Sequence, residues 1–464
     1  MKNKFIVHPY MPNSVPETKK EMLNALKVEK VEDLYKDVIP KHLRFKGEMR
    51  LPDPIFSEYE LKKHVEKILS KNISSSDYIS FLGAGCYQHY VPAVCDEINS
   101  RSEFLTAYCG DTYSDHGKMQ AIFEYCSMMA ELVDMDVVSY TNYDGGQASS
   151  SSIRMALRIT GRREVILPKI MHPEILSQVR DYCKHVADIK FVDYDPVTGQ
   201  TDLKDLKNKI SEKTAAIYLE NPSYIGILEE HGQEIADMAH EHGALFIVSA
   251  DPSSLGILES PANYGADIVC GDIQPLGMHM HYGGGCAGYI ATPQEKKLVQ
   301  EIPTYLYGIT LTKVEGEYGW GRALNERCSH GSREDANEYF GTECGLWAIT
   351  AGVYLALMGP RGMEELGETI IYRANYAKNL LSKIDGVKAG IFDSNHFKEF
   401  VVNFDETGKT IDEINKRLLD YGIFGGKDLS KDFPELGNSA LYCVTEIIGI
   451  DEIKKLVAAL KEIV

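Results

Sequence analysis

The chain has 464 residues, 44% of them hydrophobic and 25% charged, the make-up of a folded protein with a large core and two or three domains. A formal charge of -19 argues against nucleic acid or an anionic membrane as the main partner, because the long-range field repels both. The ten cysteines are scattered with no Cys-x-x-Cys, so neither a zinc site nor a disulfide framework is indicated, and reduced cytoplasmic thiols are expected.

The opening residues offer only Phe5, Ile6 and Val7 before His8 and Pro9, too short a run for the core of a secretory leader. Two helical patterns follow, Ser14 to Leu26 and Glu58 to Leu69, the second with Ser57 placed as its N-cap. Pro52 and Pro54 mark a loop between them. Residues 1–78 therefore read as an N-terminal helical arm.

From Val165 the pattern becomes short β-branched runs: Val165 to Leu167, Ile189 to Val192, Ala215 to Leu219, Leu245 to Val248, Ile268 to Cys270 and Tyr289 to Ala291. Helical stretches such as Pro173 to His185 and Gln233 to His242 lie between them. This alternation predicts a mostly parallel α/β sheet covered on both faces, with functional groups at the carboxyl ends of its strands, over residues 79–325. Residues 326–464 read as a smaller α+β domain. It holds helices over Cys344 to Leu357 and Met363 to Ile384, strands over Glu399 to Phe404 and Ala440 to Thr445, and a last helix from Asp451 to Ile463. The nearly apolar run Leu346 to Met358 is short of the roughly 20 residues that cross a bilayer, so it reads as a buried helix.

Within the α/β region several residues carry chemistry. Asp144-Gly145-Gly146-Gln147-Ala148-Ser149 opens a helix predicted from Ser151 to Arg158, and its amides and hydroxyls suit an anion such as phosphate, although an ordinary glycine-rich cap explains it too. His172 follows a predicted strand, where an imidazole can stack on a flat ring or simply pack. Asp251 ends another strand, where a carboxylate can pair with a pyridinium nitrogen or form a plain Asp-Pro turn. Their order along the chain is that of a pyridoxal-phosphate (PLP) site. Such a site needs a lysine for its Schiff base, yet no lysine occurs between Lys213 and Lys296. Gln274 and Pro275 stand near the place where the amine is wanted, and neither forms an imine. His279 and His281 would share one side of an extended segment, but no third ligand is evident and no metal is expected. Gly283, Gly284 and Gly285 let backbone approach a ligand or neighbour.

Blocks spread over the whole chain resemble a known family. They are Tyr10-Met11-Pro12-Asn13, Phe81-Leu82-Gly83-Ala84-Gly85-Cys86-Tyr87 with His89 and Pro92-Ala93-Val94, Ser102-Glu103-Phe104, Gln120-Ala121-Ile122-Phe123-Glu124-Tyr125, Tyr143-Asp144-Gly145, Gly265-Ala266-Asp267-Ile268-Val269 and Pro434-Glu435-Leu436-Gly437-Asn438. The family they resemble is subunit 1, the α subunit, of the two-subunit glycine dehydrogenase (decarboxylating), the P-protein of the glycine cleavage system. The resemblance implies the type I fold of PLP enzymes (aspartate aminotransferase-like) and a paralogous β subunit that bears the cofactor lysine. It also implies loss of CO2 from glycine and transfer of the aminomethyl group to the lipoyl arm of the H-protein.

By the same resemblance, Asp144, Gly145, His172, Asn221 and Asp251 occupy the positions of a cofactor pocket, intact or vestigial in this subunit. Segments 108–120 and 327–344 would face the partner's active site, with Ser114, His116 and Lys118 contributing to it. In both segments the chain departs from its relatives. Asp115-His116-Gly117-Lys118-Met119 stands where a Ser-Gln-Gly is usual, and Gly331-Ser332-Arg333-Glu334-Asp335-Ala336-Asn337-Glu338-Tyr339 where the family has a more basic segment. Gly284-Gly285 also replaces the usual Gly-Pro. A paralogous complex acting on another amino acid, a catalytically silent scaffold, and a self-sufficient enzyme using Lys118 or Lys169 are the alternatives.

Overall fold

The structure, a computed structural model, describes residues 7–8, 10–47, 49–104, 116–341 and 343–464. Ser114 and most of the opening residues Met1 to Pro9 lie outside the described residues. The chain divides into two compact units, Met1–Asn72 and Ile73–Val464. The first contains helices Pro16–Ala25 and Glu58–Leu69, neither with a buried residue. Ser57 caps the second by accepting the Glu60 N–H at 3.3 Å, as its position predicts.

Strands are numbered along the chain: β1 (Ile79–Ser80), β2 (Val137–Val138), β3 (Glu164–Pro168), β4 (Asp188–Val192), β5 (Thr214–Glu220), β6 (Leu245–Ser249), β7 (Ile268–Asp272) and β8 (Gly288–Thr292). There follow β9 (Leu306–Leu311), β10 (Tyr318–Ala323), β11 (Lys388–Ala389), β12 (Glu399–Asn403), β13 (Ile423–Phe424), β14 (Lys427–Asp428) and β15 (Ser439–Cys443). Seven form the large sheet in the order β2-β8-β7-β6-β5-β3-β4. The pairs from β4 through β3, β5 and β6 to β7 are parallel, while β8 runs antiparallel to β7 and β2 to β8.

Every residue of β5 is buried, the pattern of a strand covered on both faces. Alternate residues enter different cores: Ile166, Ile217 and Phe246 pack in one, Val165, Tyr218 and Ile247 in the other. All six predicted strands of this region occur within two residues of their expected ends. Sequence reading missed the β9–β10 hairpin, because Gly308, Gly319 and Gly321 dilute its alternation.

The helix predicted from Ser151 begins earlier, and Gly145–Thr160 is one element capped by Asp144, whose side chain accepts the Gln147 N–H. The two expected helices around residue 358 form one helical run, Gly345–Leu381, broken where Gly359 takes φ 59° ahead of Pro360. Ala348, Ile349 and Ala351 of its apolar stretch are buried. Among the described residues no helix is long and apolar enough to cross a membrane.

The four-stranded sheet β11-β12-β15-β14 packs Phe400 and Val402 into a core with Ile453 and Leu456 of the last helix, Ile450–Ile463. Val401, on the opposite face of β12, joins Ile170, Tyr224 and Ile225 from beyond the ends of β3 and β5. That alternation brings Glu399, and with it Lys398, against the large sheet.

Candidate functional site

Segments following β3, β5, β6 and β7 converge with residues 84–87 around a cavity of about 470 Å³. Of the residues expected there, Asp144, Gly145, His172 and Asp251 line it. Asn221 does not stand among the lining residues, although the next residue, Pro222, does. Its amide is engaged in the turn, with Nδ2 donating to Glu229 O (3.3 Å) and Tyr264 Oη (3.2 Å) and Oδ1 accepting the Glu229 N–H (3.2 Å).

The N-terminus of helix Gly145–Thr160 already holds a carboxyl group of the protein's own. Asp272 Oδ2 accepts the Gly145 N–H at 2.8 Å, and Oδ1 accepts those of Gln274 (2.9 Å) and Ala287 (3.2 Å). Burial pushes the Asp272 carboxyl up to about 7 in spite of these bonds. Asp144 takes the Gln147 N–H at 2.7 Å and the Gln178 side-chain amide at 3.2 Å. The fit at 145 is tight, since a Cβ there would meet Asp272 Cβ at 3.1 Å and its backbone N at 3.2 Å.

Where an amine would be wanted, Gln274 is fully buried and clamps Tyr87. Its Oε1 accepts the Tyr87 N–H at 3.0 Å while its Nε2 donates to Tyr87 O at 2.8 Å and Met278 O at 3.1 Å. Asp251, in turn, is ion-paired with Lys398, a buried lysine just before β12 with 3% side-chain exposure. The Lys398 ammonium also lies 3.3 Å from His89 Nε2 and 3.4 Å from Ser253 Oγ, and 3.3 Å from the centre of the Tyr87 ring. His89 Nδ1 is 2.7 Å from Glu446 Oε2. With Nδ1 protonated, His89 accepts from lysine and donates to glutamate, so the three ammonium protons find Asp251, His89 and Ser253. Burial tends to raise the Asp251 carboxyl, but the Lys398 charge and the bonds from Lys398 and Ser253 outweigh it and hold it below the usual range.

His172 packs rather than hangs free. Its Nδ1 accepts the Glu174 N–H (3.2 Å), its Nε2 is 3.1 Å from Ala84 O, and its ring lies 4.7 Å from that of Tyr224. Burial holds the imidazole below its ordinary value, so the neutral form donates from Nε2 to Ala84 O. Gly85 (φ +99°) allows this, because a Cβ there would fall 2.2 Å from His172 Nε2. Two further buried carboxyls, Glu220 under His172 and Glu399 beside Ala84 and Tyr87, are pushed by burial up to about 7.

Of the other expected contributors, Ser114 lies outside the described residues, His116 begins the helix His116–Val133, and Lys118 in that helix is buried. Lys169, an alternative imine lysine, pairs on the surface with Asp193 at 2.8 Å. Glu338, in the divergent segment 331–339, is bound within the chain by Arg154 (3.2 Å), Arg158 (2.9 Å), Tyr182 (2.8 Å) and Ser151 (2.8 Å). His279 bonds Asp96 at 3.0 Å and His281 stacks on Trp347 at 5.2 Å, and no group of three or more metal-ligating side chains occurs among the described residues. Sequence reading missed Lys398, Glu399 and Glu446. Only a charged pair heading an apolar strand hinted at the first two.

A PLP molecule needs an anion cup, a carboxylate open to its ring nitrogen and a lysine amine. In this cavity Asp272 fills the cup, Lys398 holds the carboxylate, and Gln274 stands for the amine, so the residues present do not fit the cofactor.

The sequence profile described as Glycine cleavage system P-protein matches residues 8–460. The chain is 39% identical over 466 aligned positions to the probable glycine dehydrogenase (decarboxylating) subunit 1 of Staphylothermus marinus, covering 98% of each protein. It superposes on the crystal structure of an inhibitor-bound glycine decarboxylase (P-protein) of the glycine cleavage system with a TM-score of 0.85 at 31% identity, covering 99% of this chain and 100% of that one. A sphingosine-1-phosphate lyase of Burkholderia pseudomallei shares the fold, with a TM-score of 0.63 at 15% identity over 92% of this chain and 94% of that one. The architecture is thus the expected type I fold of PLP enzymes.

Proposed function

This chain belongs to the glycine cleavage system P-protein family, and from that premise we propose that it is the α subunit of a glycine decarboxylase whose PLP is carried by a paralogous, lysine-bearing β subunit. The observation that carries the reading is the Lys398–Asp251 pair: the carboxylate that would meet the cofactor ring is already neutralised by this chain's own ammonium. When bound in the partner, PLP supplies the electron sink for loss of CO2 from glycine. The aminomethyl group then passes to the lipoyl arm of the H-protein. This chain's own part is to complete the walls of that site and to exclude water from it, through the segments around His116 and Lys118 and around Arg327 to Cys344.

The test is spectroscopic and kinetic. Incubated with PLP, the isolated chain stays colourless and borohydride leaves no pyridoxyl-lysine in it. Glycine decarboxylation appears only on co-expression with the paralogous chain encoded in the same cells. A pyridoxyl-lysine in this chain, or turnover without a companion, overturns the proposal. Substitutions in the segment Ser114 to Lys118 are expected to reduce turnover of the assembled complex while leaving assembly intact; full activity in such variants removes that segment from the site.

A further inference from the structure

Two of the thiols meet at the wall of the same cavity. Cys86 and Cys286 both line it, and both thiols lie against the same turn, Cys86 Sγ donating to Met280 O and Cys286 Sγ to Gly283 O. Cys86 sits on a fixed wall, since the following residue, Tyr87, is clamped by Gln274. Its sulfur rests 3.8 Å from Met280 O. Cys286 sits 3.7 Å from Gly283 O at the end of a turn where His281, Tyr282 and Gly283 all have positive φ. A Cβ added at Gly283 would meet nothing within 4 Å and Tyr282 is fully exposed, so the tip of this turn is open to solvent. By contrast Cys95, Cys126, Cys183, Cys270, Cys328 and Cys443 are buried.

We infer that Cys86 and Cys286 form a thiol–disulfide exchange site that takes low-molecular-weight disulfides entering the cavity and closes reversibly into an intramolecular disulfide. Neither residue has a role in the function proposed above, so the inference stands apart from it. The bond between them would tie the 281–286 turn to the Cys86 segment and narrow the cavity.

The two thiols are unequal partners. The neighbouring Cys286 side chain lowers the Cys86 thiol below its ordinary range; burial and the Asp272 carboxylate push the other way, while the Lys398 charge and the Tyr87 N–H assist. The Cys86 side chain and burial push the Cys286 thiol up. Cys86 is then the attacking group and Cys286 the resolving one. The Cys86 thiolate attacks one sulfur of RS–SR, the S–S bond breaks, and RS⁻ leaves and takes a proton. Cys286, losing its proton to solvent, attacks the Cys86 sulfur of the mixed disulfide and expels the second RS⁻. Two protein thiols are oxidised by two electrons, and one RS–SR is reduced to two RSH.

The full-length protein is equilibrated in buffers of reduced and oxidised glutathione, quenched in acid, alkylated, digested and mapped by mass spectrometry. A Cys86–Cys286 linked peptide is expected before any other cysteine is modified, reversing on return to reduced glutathione. In Cys286→Ser a glutathione adduct is expected to accumulate at Cys86, and in Cys86→Ser no fast adduct at Cys286. In the unmodified protein at pH 7, Cys86 is expected to alkylate roughly tenfold faster than Cys344, which burial pushes up to about 11. Wild-type measurements need no variant to fold. The inference is overturned if both thiols remain alkylatable under oxidising glutathione, if other cysteines link first, or if the Cys286→Ser protein traps no adduct at Cys86.

Discussion

Replacing Lys398 with methionine keeps the length of the side chain and removes its charge. Asp251 would then face only the Ser253 N–H (3.0 Å) and hydroxyl (2.7 Å) inside a site where its side chain is 14% exposed. Breaking a buried pair by deleting one partner costs about 3–5 kcal/mol, because a charge is left buried without compensation. Lys398→Met is expected to lose that amount at pH 7.5, read as a fall in the urea midpoint at unchanged slope.

The double variant Asp251→Asn, Lys398→Met removes both charges and is expected to recover to within about 1 kcal/mol of the wild type. The pH dependence has a definite sign. In the wild type the Asp251 carboxyl is depressed, so its contribution is present above the unfolded carboxylate range of about 3.9 and is lost as pH falls through the lower folded value. In Lys398→Met the carboxyl is raised, and the variant is expected to regain stability relative to wild type on going from pH 7.5 to pH 5. A loss below about 1 kcal/mol in the single variant, with no recovery in the double, would refute the buried counter-ion.

Glu399, fully buried and raised from 4.5 to about 7, works in the opposite direction from Asp251. The folded state binds the proton more tightly than the unfolded one, so this group's contribution falls as pH rises from 4.5 to about 7. Glu399→Gln is expected to flatten the stability profile over that interval by about 3 kcal/mol, measured as the difference in urea midpoints between pH 5 and pH 8. An unchanged profile would mean that Glu399 ionises freely. Gly85→Ala forces a side chain into positive φ and against His172, with an expected loss of about 3 kcal/mol in thermal or urea unfolding. Adding His172→Ala should return part of it, and a Gly85→Ala protein as stable as wild type would show that the 84–87 segment has an alternative path.

The sequence determined the secondary structure of the α/β region because those signals are local. The β-branched runs of β3, β5, β6 and β7 depend on neighbours within a few residues and lie where the periodicity places them, whereas the helix capped by Asp144 begins at Gly145, ahead of the predicted Ser151. Absence of a lysine between Lys213 and Lys296 was legible in the same way, as was the likeness of blocks such as Phe81 to Tyr87 to a known family. The contents of the cavity were decided by tertiary structure. Lys398 and Asp251 are distant in the chain, and only the packing of β12 over the ends of the large sheet brings ammonium to carboxylate. Asp272 reads in sequence as part of the segment after a strand ending at Cys270, yet the fold places its oxygen on the Gly145 amide. A charge buried far from its sequence neighbours leaves no periodic trace, because its stability depends on the partner that folding supplies.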